Sequence, residues 1–221
     1  MTTDWSTLLP DLWQATLQTL LMVGISTLLT ALIGLPLGVL LVITDEDGLR
    51  HMPALHQVLG VIVNIGRSLP FIILLVAIMP FTRLVVGTTI GTVAAIVPLT
   101  VAAIPFFGRV AETSLREVDK GVVEAASAMG CTLWQIITKV LIPEALPSLI
   151  LGITITIISL LSYSAVAGAV GAGGLGDLAI RYGYQLFETD VMIVTVVLLI
   201  IMVQGIQFLG NLAARRLARH A

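Results

Sequence analysis

The amino-acid sequence predicts an all-α integral membrane protein with five transmembrane helices. Of its 221 residues, 57% are hydrophobic and only 11% are charged, and the mean hydropathy is +1.07. Soluble domains carry about 25% charged residues. One helical span takes about 20 apolar residues, so the chain has room for about five or six spans. It leaves no room for a large soluble domain.

Five apolar stretches are long enough to justify the individual helices. In chain order they run from about Leu17 to Ile43, Gln57 to Pro80, Val86 to Phe107, Pro147 to Val170 and Val191 to Leu209. Residues 196–203 are apolar at every position, whereas a strand of a membrane barrel would alternate apolar and polar residues. The pattern therefore favours helices throughout.

Lysine and arginine predict the orientation of these helices, because cytoplasmic loops carry an excess of both. Arg83 and Arg181 fall on one predicted side, and Arg67 falls inside the second span. The other eight of the 11 basic residues share the opposite side: Arg50, Arg109, Arg116, Lys120, Lys139, Arg215, Arg216 and Arg219. The sequence thus predicts an external N-terminal segment at residues 1–16, a membrane domain at 17–210 with a cytoplasmic loop at about 108–146, and a cytoplasmic basic tail at 211–221. The tail is interpreted as an anchor for the last helix and not as a nucleic-acid site.

The predicted cytoplasmic loop contains a charged, helix-prone segment that lipid cannot hold. Asp119 is a predicted N-cap, and Gly130 is placed to end the helix as its C′ residue. Residues 132–135 read as a capping box that opens a second helix, which passes Pro143 and enters the fourth span. A predicted apolar stripe at helical spacing consists of Val122, Ala126 and Met129. From this pattern alone, an amphipathic helix lying at the membrane surface is the alternative.

The same segment resembles the EAA loop of ABC-importer permeases, whose pattern is E-A-A-x-x-x-G-x9-I-x-L-P. The spacing is intact, with Val140 in place of the family's Ile and Ile142 in place of its Leu. The resemblance implies a loop that couples this subunit to a separate ATPase. Its candidate residues are Glu124, Ala125, Ala126, Met129, Gly130 and Pro143. We expect Ala125 and Ala126 to leave a low surface on which a groove of the partner can close.

The wider chain is similar to the permease subunit of methionine ABC importers. The similarity rests on the order and spacing of four further segments: residues 67–75, 80–83, 95–100 and 163–176. The resemblance implies a type I permease fold in the bacterial inner membrane, with a second copy of the chain forming a homodimer in membrane lipid. It also implies a cytoplasmic ABC ATPase dimer, an external methionine-binding lipoprotein or periplasmic protein, and methionine as the transported substrate. The alternatives are a permease of the same class for another amino acid or small solute, and a gradient-driven secondary transporter.

Other functions are disfavoured by what the sequence lacks. No G-x-x-x-x-G-K-[ST] phosphate loop occurs, so ATP hydrolysis is assigned to a partner and the chain itself is not an enzyme. A gradient-driven carrier should place carboxylates within its spans, and none falls there. Cys131 has no neighbouring ligand for a metal, and no cofactor or nucleic-acid partner is predicted. Residues 171–176 match G-x-G-x-x-G but lack the βαβ context of a dinucleotide site, so a tight loop near the outer mouth of the pathway is expected.

Arg67 stands out because it falls inside the second predicted span. A charge at membrane depth normally faces a cavity or an opposite charge. Arg67 therefore either lines or gates a pathway, or it anchors the helix near the interface beside a carboxylate such as Glu112. Pro70 is expected to kink the span. The candidate pathway residues are Arg67, Ser68 and Pro70, together with Ser162, Tyr163 and Ser164 of the fourth span, whose alternative role is hydrogen bonding within the helix bundle.

The charged residues that follow the third predicted span form a further cluster. Glu112 and Glu117 lie close in sequence to Arg109, Arg116 and Lys120. This spacing predicts a network of ion pairs on the protein surface and not acid–base chemistry.

Overall fold

The computed structural model describes residues 5–218, and all regular secondary structure in that range is helical. The short helices α2 (Pro53–Ser68), α3 (Phe71–Ala77), α4 (Met79–Val86), α6 (Lys120–Ala128) and α8 (Gly174–Leu178) separate four long ones. The long helices are α1 (Trp5–Ile43), α5 (Thr92–Arg116), α7 (Leu133–Gly168) and α9 (Thr189–Leu217). The predicted all-α fold is confirmed.

Four helices are long and apolar enough to cross a membrane, namely α1, α5, α7 and α9. A fifth crossing is present if α2 and α3, which are bent by 102° at the break between them, count as one span. The break falls at Pro70, which has φ −57° and ψ 133°. Proline has no N–H for the helical ladder and also disfavours helical geometry at the preceding residue. The second predicted span is therefore interrupted at the residue where a kink was expected.

Several helix bounds differ from the predicted apolar stretches. The first helix begins at Trp5 and not near Leu17, because Leu8, Leu12 and Ala15 before that point are buried in an apolar cluster of the first unit. The third predicted span, expected at about Val86 to Phe107, corresponds to α5. This helix begins at Thr92 and continues to Arg116, into the segment that was predicted to be a loop. Glycines at φ +82° (Gly87) and φ +99° (Gly91) separate it from α4. Arg219, the last residues of the predicted tail and the first residues of the predicted N-terminal segment lie outside the described residues.

The chain divides into two compact units, each with its own packing. The first consists of the residues up to 29, 69–103 and 157–207. It contains one apolar cluster around Met22, Leu99 and Leu160, and a second cluster around Leu8, Leu175 and Val191. Both clusters draw on helices that are far apart in sequence.

The second unit consists of residues 30–68, 104–156 and the residues from 208 onward. Its single apolar cluster includes Val39, Phe107, Leu115, Ala126 and Leu141. Close approach of α1 to α5 requires small residues, since a Cβ added at Gly38 would lie 2.7 Å from the Ala111 Cβ. Small residues at helix contacts are typical of membrane bundles. The short helix α6 is held in this cluster by Ala126.

Candidate functional site

The short helix α6 begins as the sequence predicts. Asp119 is its N-cap, and the Asp119 carboxylate accepts a hydrogen bond from the Gly121 N–H at 2.6 Å. An N-cap oxygen satisfies one of the backbone donors that a helix start leaves unpaired. The predicted start of the helix is confirmed.

The end of α6 depends on Gly130, whose φ is +82°. The Gly130 N–H donates to the Ser127 carbonyl at 3.0 Å, and the Cys131 N–H donates to the Ala126 carbonyl at 3.1 Å. This pair of bonds is the Schellman arrangement, which favours glycine at the left-handed position. A Cβ built at Gly130 would meet no atom within 4 Å. Backbone conformation, and not lack of space, therefore requires glycine at this position.

The next helix opens with the predicted capping box. The Gln135 side chain accepts from the Thr132 N–H at 2.8 Å, and the Thr132 hydroxyl accepts from the Gln135 N–H at 3.4 Å. The helix runs without a break through Pro143 to Gly168, with a π-helical turn at Ile137–Leu141. A π turn inserts one extra residue and is common where a helix must accommodate a disruption. Pro143 lies just after it.

The residues of the predicted apolar stripe on α6 differ in their exposure. Ala126 is only 3% exposed and packs in the apolar cluster, with Val123 beside it. Met129, by contrast, is 78% exposed, and Val122 is also exposed. The three residues of the stripe therefore do not share one buried face, and Ala126 is not part of the low outer surface that was expected of it.

The outward surface of the coupling segment, residues 119–143, carries both charge and apolar area. Glu124 and Ala125 are exposed, and within residues 5–218 no hydrogen bond or ion pair involves the Glu124 carboxylate. Trp134 is 71% exposed, a feature that the sequence reasoning did not single out. Exposed aromatic and methionine side chains are typical of protein interfaces. This surface is available to a partner.

Behind the segment lies a buried carboxylate, Glu112, which is only 3% exposed. The Glu112 Oε2 accepts from the Arg109 Nη1 at 2.6 Å, and Oε1 accepts from the Arg116 Nη2 at 2.9 Å. The Arg116 Nη1 also donates to the Asp45 Oδ2 at 2.5 Å. Charged groups are rarely buried unless they are paired in this way. The ion-pair network predicted from the sequence is present, but its centre is buried and not on the surface.

The members of this network were only partly predictable. Lys120 pairs with Asp47 at 3.1 Å, and Glu117 accepts from the Ser148 hydroxyl at 2.9 Å. The sequence analysis did not predict Asp45 and Asp47 as members of the network. A signal was available, because an acidic run follows the first predicted span and basic residues follow the third, and both were predicted to lie on the cytoplasmic side. The pKa of Asp45 is lowered: partial burial acts to raise it, but the hydrogen bond from Arg116 and the nearby positive charges outweigh burial.

A groove of about 320 Å³ lies between the connector of α1 and α2 and the coupling segment. Asp45, Arg116, Lys120 and Glu124 contribute to its walls, and Leu141 contributes apolar surface. Both partners of the Asp45–Arg116 ion pair thus line the same groove as Glu124.

The six candidate pathway residues divide between the two units: Arg67 and Ser68 belong to the second unit, and Pro70, Ser162, Tyr163 and Ser164 belong to the first. Arg67 is exposed at the end of α2, and it makes no ion pair in residues 5–218, where Glu112 pairs with Arg109 and Arg116 instead. The Ser68 hydroxyl donates to the Asn64 carbonyl at 2.7 Å. The named alternative of an Arg67–Glu112 pair is therefore wrong.

In the fourth span, neighbouring candidates point in different directions. Ser162 is exposed, whereas Ser164 is buried and donates to the Leu161 carbonyl at 2.7 Å. The Tyr163 ring stacks on Phe71, with the centroids 4.7 Å apart and an interplanar angle of 10°. Ser164 and Tyr163 thus have local structural partners, and the exposed Ser162 also donates to the Ile158 carbonyl at 3.3 Å.

The glycine-rich segment at residues 171–176 packs against helices. The Gly174 N–H donates to the Gln18 Oε1 at 2.8 Å, and the Leu175 N–H donates to the Thr19 Oγ1 at 2.9 Å. A Cβ at Gly176 would lie 2.4 Å from the Ala165 carbonyl oxygen. The backbone donors are used to hold the loop, so this is a packing motif and not a phosphate cradle.

Comparison with known proteins identifies the family. Residues 34–221 match the model of the binding-protein-dependent transport system inner membrane component. The chain is 54% identical over 214 residues to the probable D-methionine transport system permease protein MetI of Vibrio cholerae, covering 96% of this chain and 95% of that one. It is 48% identical over 204 residues to the methionine import system permease protein MetP of Bacillus subtilis, covering 92% of each.

A solved structure gives the same result for the fold. A chain from the inward facing conformations of the MetNI methionine ABC transporter, in the native crystal form, matches with a TM-score of 0.95 at 47% identity, covering 98% of this chain and 99% of that one. The chain therefore belongs to the family of inner membrane components of binding-protein-dependent transport systems.

Proposed function

We propose that this chain is the transmembrane permease subunit of an ATP-driven ABC importer for methionine. The observation that carries the proposal is its identity of 54% and 48% to methionine permeases over more than nine-tenths of the chain. Two copies form the translocation pathway in the inner membrane, a separate ATPase dimer supplies the energy, and an external methionine-binding protein delivers the substrate. The chain itself carries no phosphate loop and does not hydrolyse ATP.

Residues 119–143 are the coupling segment in this proposal. The caps at Asp119, Gly130 and Thr132 support it, because they fix two helices around a sharp turn. The exposed Glu124, Ala125 and Met129 supply the surface that the ATPase contacts, while Ala126 holds α6 against the permease core. Closure of the ATPase dimer on ATP moves this segment and switches the pathway from inward-open to outward-open.

The coupling role also fixes an orientation. The segment and the C-terminal tail face the cytoplasm, and the N-terminus faces outward, which agrees with the excess of Lys and Arg on one side. A reporter fused after Ala221 should therefore be cytoplasmic, and one fused at the N-terminus external. Two ends on the same side would contradict this topology.

Reconstitution tests the energy source and the substrate. In liposomes with its ATPase and binding protein, uptake of labelled methionine should require ATP and survive the collapse of ion gradients. Unlabelled methionine should compete for uptake better than other amino acids, which separates methionine import from import of another solute. Gradient-driven uptake by the chain alone would contradict the proposal.

Arg67 is proposed to line or brace the pathway, and its exposure without an ion-pair partner in residues 5–218 supports this role. Arg67→Ala should then abolish or uncouple transport in an assembled complex. A mere interface anchor would tolerate Arg67→Lys, because a flexible ammonium can reach the same depth. Arg67→Cys, in a Cys131→Ser background, should be labelled by a water-soluble thiol reagent to an extent that depends on ATP. Constant labelling together with an active Lys variant would leave only the anchor role.

A further inference from the structure

The helix α2 lies outside the apolar cluster that joins α1, α5, α6 and α7 in the second unit. Among the described residues grouped in that cluster, none comes from α2. Apolar packing of α2 rests on the buried Val63 and on Gly66, where an added Cβ would lie 2.8 Å from the Pro105 Cγ. Polar contacts made by Asn64 and His56 add to this apolar packing.

The Asn64 contact begins a continuous polar chain that crosses α5, while His56 separately meets the connector of α1 and α2, with its Nε2 3.7 Å from the Asp45 Oδ1. The Asn64 side chain on α2 accepts from the Arg109 Nη2 at 3.0 Å, and Arg109 in turn donates to Glu112 at 2.6 Å. Glu112 also binds Arg116, at the last turn of the same helix. Both Glu112 oxygens are occupied and the carboxylate is buried, so Glu112 holds both guanidinium groups in place along α5. Charge-assisted bonds of this kind fix geometry more strongly than neutral ones.

The far end of the chain reaches the coupling segment and the connector between α1 and α2. Arg116 closes α5 just before Asp119 caps α6, so a displacement of α6 moves Arg116. Its other partner, Asp45, sits in a connector that folds back on α1 through the Arg50 N–H to Ile43 carbonyl bond at 2.9 Å. The two ends of the polar chain therefore join the coupling segment to α2, whose last residues are Arg67 and Ser68.

We propose that Glu112 is a positioning residue for transport, which transmits the movement of α6 to α2 by locking Arg109 and Arg116 together. This inference rests on the proposed function, since it assigns the route by which ATP-driven movement reaches the helix that ends at Arg67. Glu112 does not touch the substrate or the ATPase. Its action is to make α2 follow α6 as one body.

The test uses the complete transporter in liposomes and measures ATP hydrolysed per methionine imported. Glu112→Gln keeps the side-chain shape but removes the charge that holds both guanidiniums. We expect the complex to assemble and hydrolyse ATP at nearly the wild-type rate, while ATP used per methionine rises roughly tenfold, as typical coupling energies imply. Glu112→Asp retains the charge and should recover part of the coupling.

A second variant changes Asn64, the exposed residue at the α2 end of the polar chain, where a substitution should not prevent folding. Asn64→Ala removes only the contact between α2 and Arg109, and it should raise the same ratio less than Glu112→Gln does. Asp47→Asn is the matched control, because the Lys120–Asp47 pair is 77% and 80% exposed and lies outside the chain. Its ratio should equal that of the wild type.

The outcomes separate this inference from the function on which it rests. A wild-type transporter without ATP-dependent methionine uptake would refute the proposed function, whatever the variants do. With wild-type uptake present, an unchanged ratio in Asn64→Ala, or uptake and hydrolysis that fall in parallel, would overturn the role of Glu112. If Glu112→Gln fails to assemble, the Asn64→Ala ratio decides alone.

Discussion

Two glycines, one in each unit, show that the same residue type is required for different physical reasons. At Gly176 a Cβ would lie 2.4 Å from the Ala165 carbonyl oxygen, so space is the constraint. At Gly130 the φ of +82° is the constraint, and an added Cβ would meet no atom within 4 Å. Neighbouring backbone encloses Gly176, whereas Gly130 is exposed. Packing therefore requires glycine at the first position, and backbone conformation requires it at the second, where we propose contact with a partner.

The free energy of unfolding should fall most for Gly176→Ala. The clash is with backbone atoms of Ala165, which cannot swing aside as a flexible side chain would, so we expect a loss of about 3 kcal/mol or more. Thermal unfolding in detergent measures the effect. Gly205→Ala is the matched control, because a Cβ there meets nothing within 4 Å and alanine favours a helix. Equal melting temperatures for the two variants would show that the loop is not closely packed.

A smaller loss of stability is expected for Gly130→Val. A β-branched residue strains the left-handed conformation by about 1–3 kcal/mol, but no atom is displaced. The turn should therefore distort locally, with insertion intact and ATPase docking or ATP-driven transport impaired. Asparagine tolerates this conformation better, so Gly130→Asn should retain more transport than Gly130→Val. Normal transport in the valine variant would exclude a coupling role for the turn.

The sequence predicted the coupling turn better than the charged network behind it, and the reason is the range of the interactions. The Asp119 cap, the Gly130 turn and the Thr132–Gln135 box are local, so residues within one or two turns of helix determine them. Asp45 bonds Arg116 across 71 positions, and only the folded chain brings them together. The break at Pro70 was visible locally as a kink, but its 102° angle was not predicted.

The exposures of the neighbouring Ala125 and Ala126 were only partly predictable from the local pattern. Helical spacing placed Ala126 on the apolar stripe, but it also placed the exposed Met129 there, and the family pattern implied a low outer surface for both alanines. The pattern alone therefore did not decide which alanine is buried. The choice is set by the packing of α6 on Val39, Leu115 and Leu141, which are distant in sequence. The buried state of Glu112 has the same origin, since the charged residues near it in sequence predicted an ion-pair network on the protein surface.

Acidification should affect the coupling side of the molecule through Asp45. Because the pKa of folded Asp45 lies below its ordinary value of 3.8, its ionised form stabilises the folded state at higher pH, and this contribution is lost as the pH falls through the lowered pKa. At neutral pH, Asp45→Asn should reduce stability by about 1 kcal/mol or less, as for a partly exposed ion pair. The difference in melting temperature between wild type and variant should shrink as the pH is lowered towards about 3. A difference that is constant with pH would contradict the role of the Asp45 charge.

The smallest change in protomer stability is expected for Glu124→Lys, together with a large change in function. Glu124 is exposed on α6 and makes no hydrogen bond or ion pair within the described part of the chain, so reversing its charge should alter the free energy of unfolding by no more than about 0.5 kcal/mol. If Glu124 attracts a positive charge on the ATPase, a lysine at this position repels that charge. ATPase binding should therefore weaken roughly tenfold or more. Glu124→Gln, which only removes the charge, should weaken binding less. Melting temperature and affinity measured on the same preparation make the comparison direct. If Glu124→Lys lowers the melting temperature and leaves the affinity for the ATPase unchanged, Glu124 contributes to packing within the protomer, as Gly176 does. It would then not belong to a surface that a partner contacts.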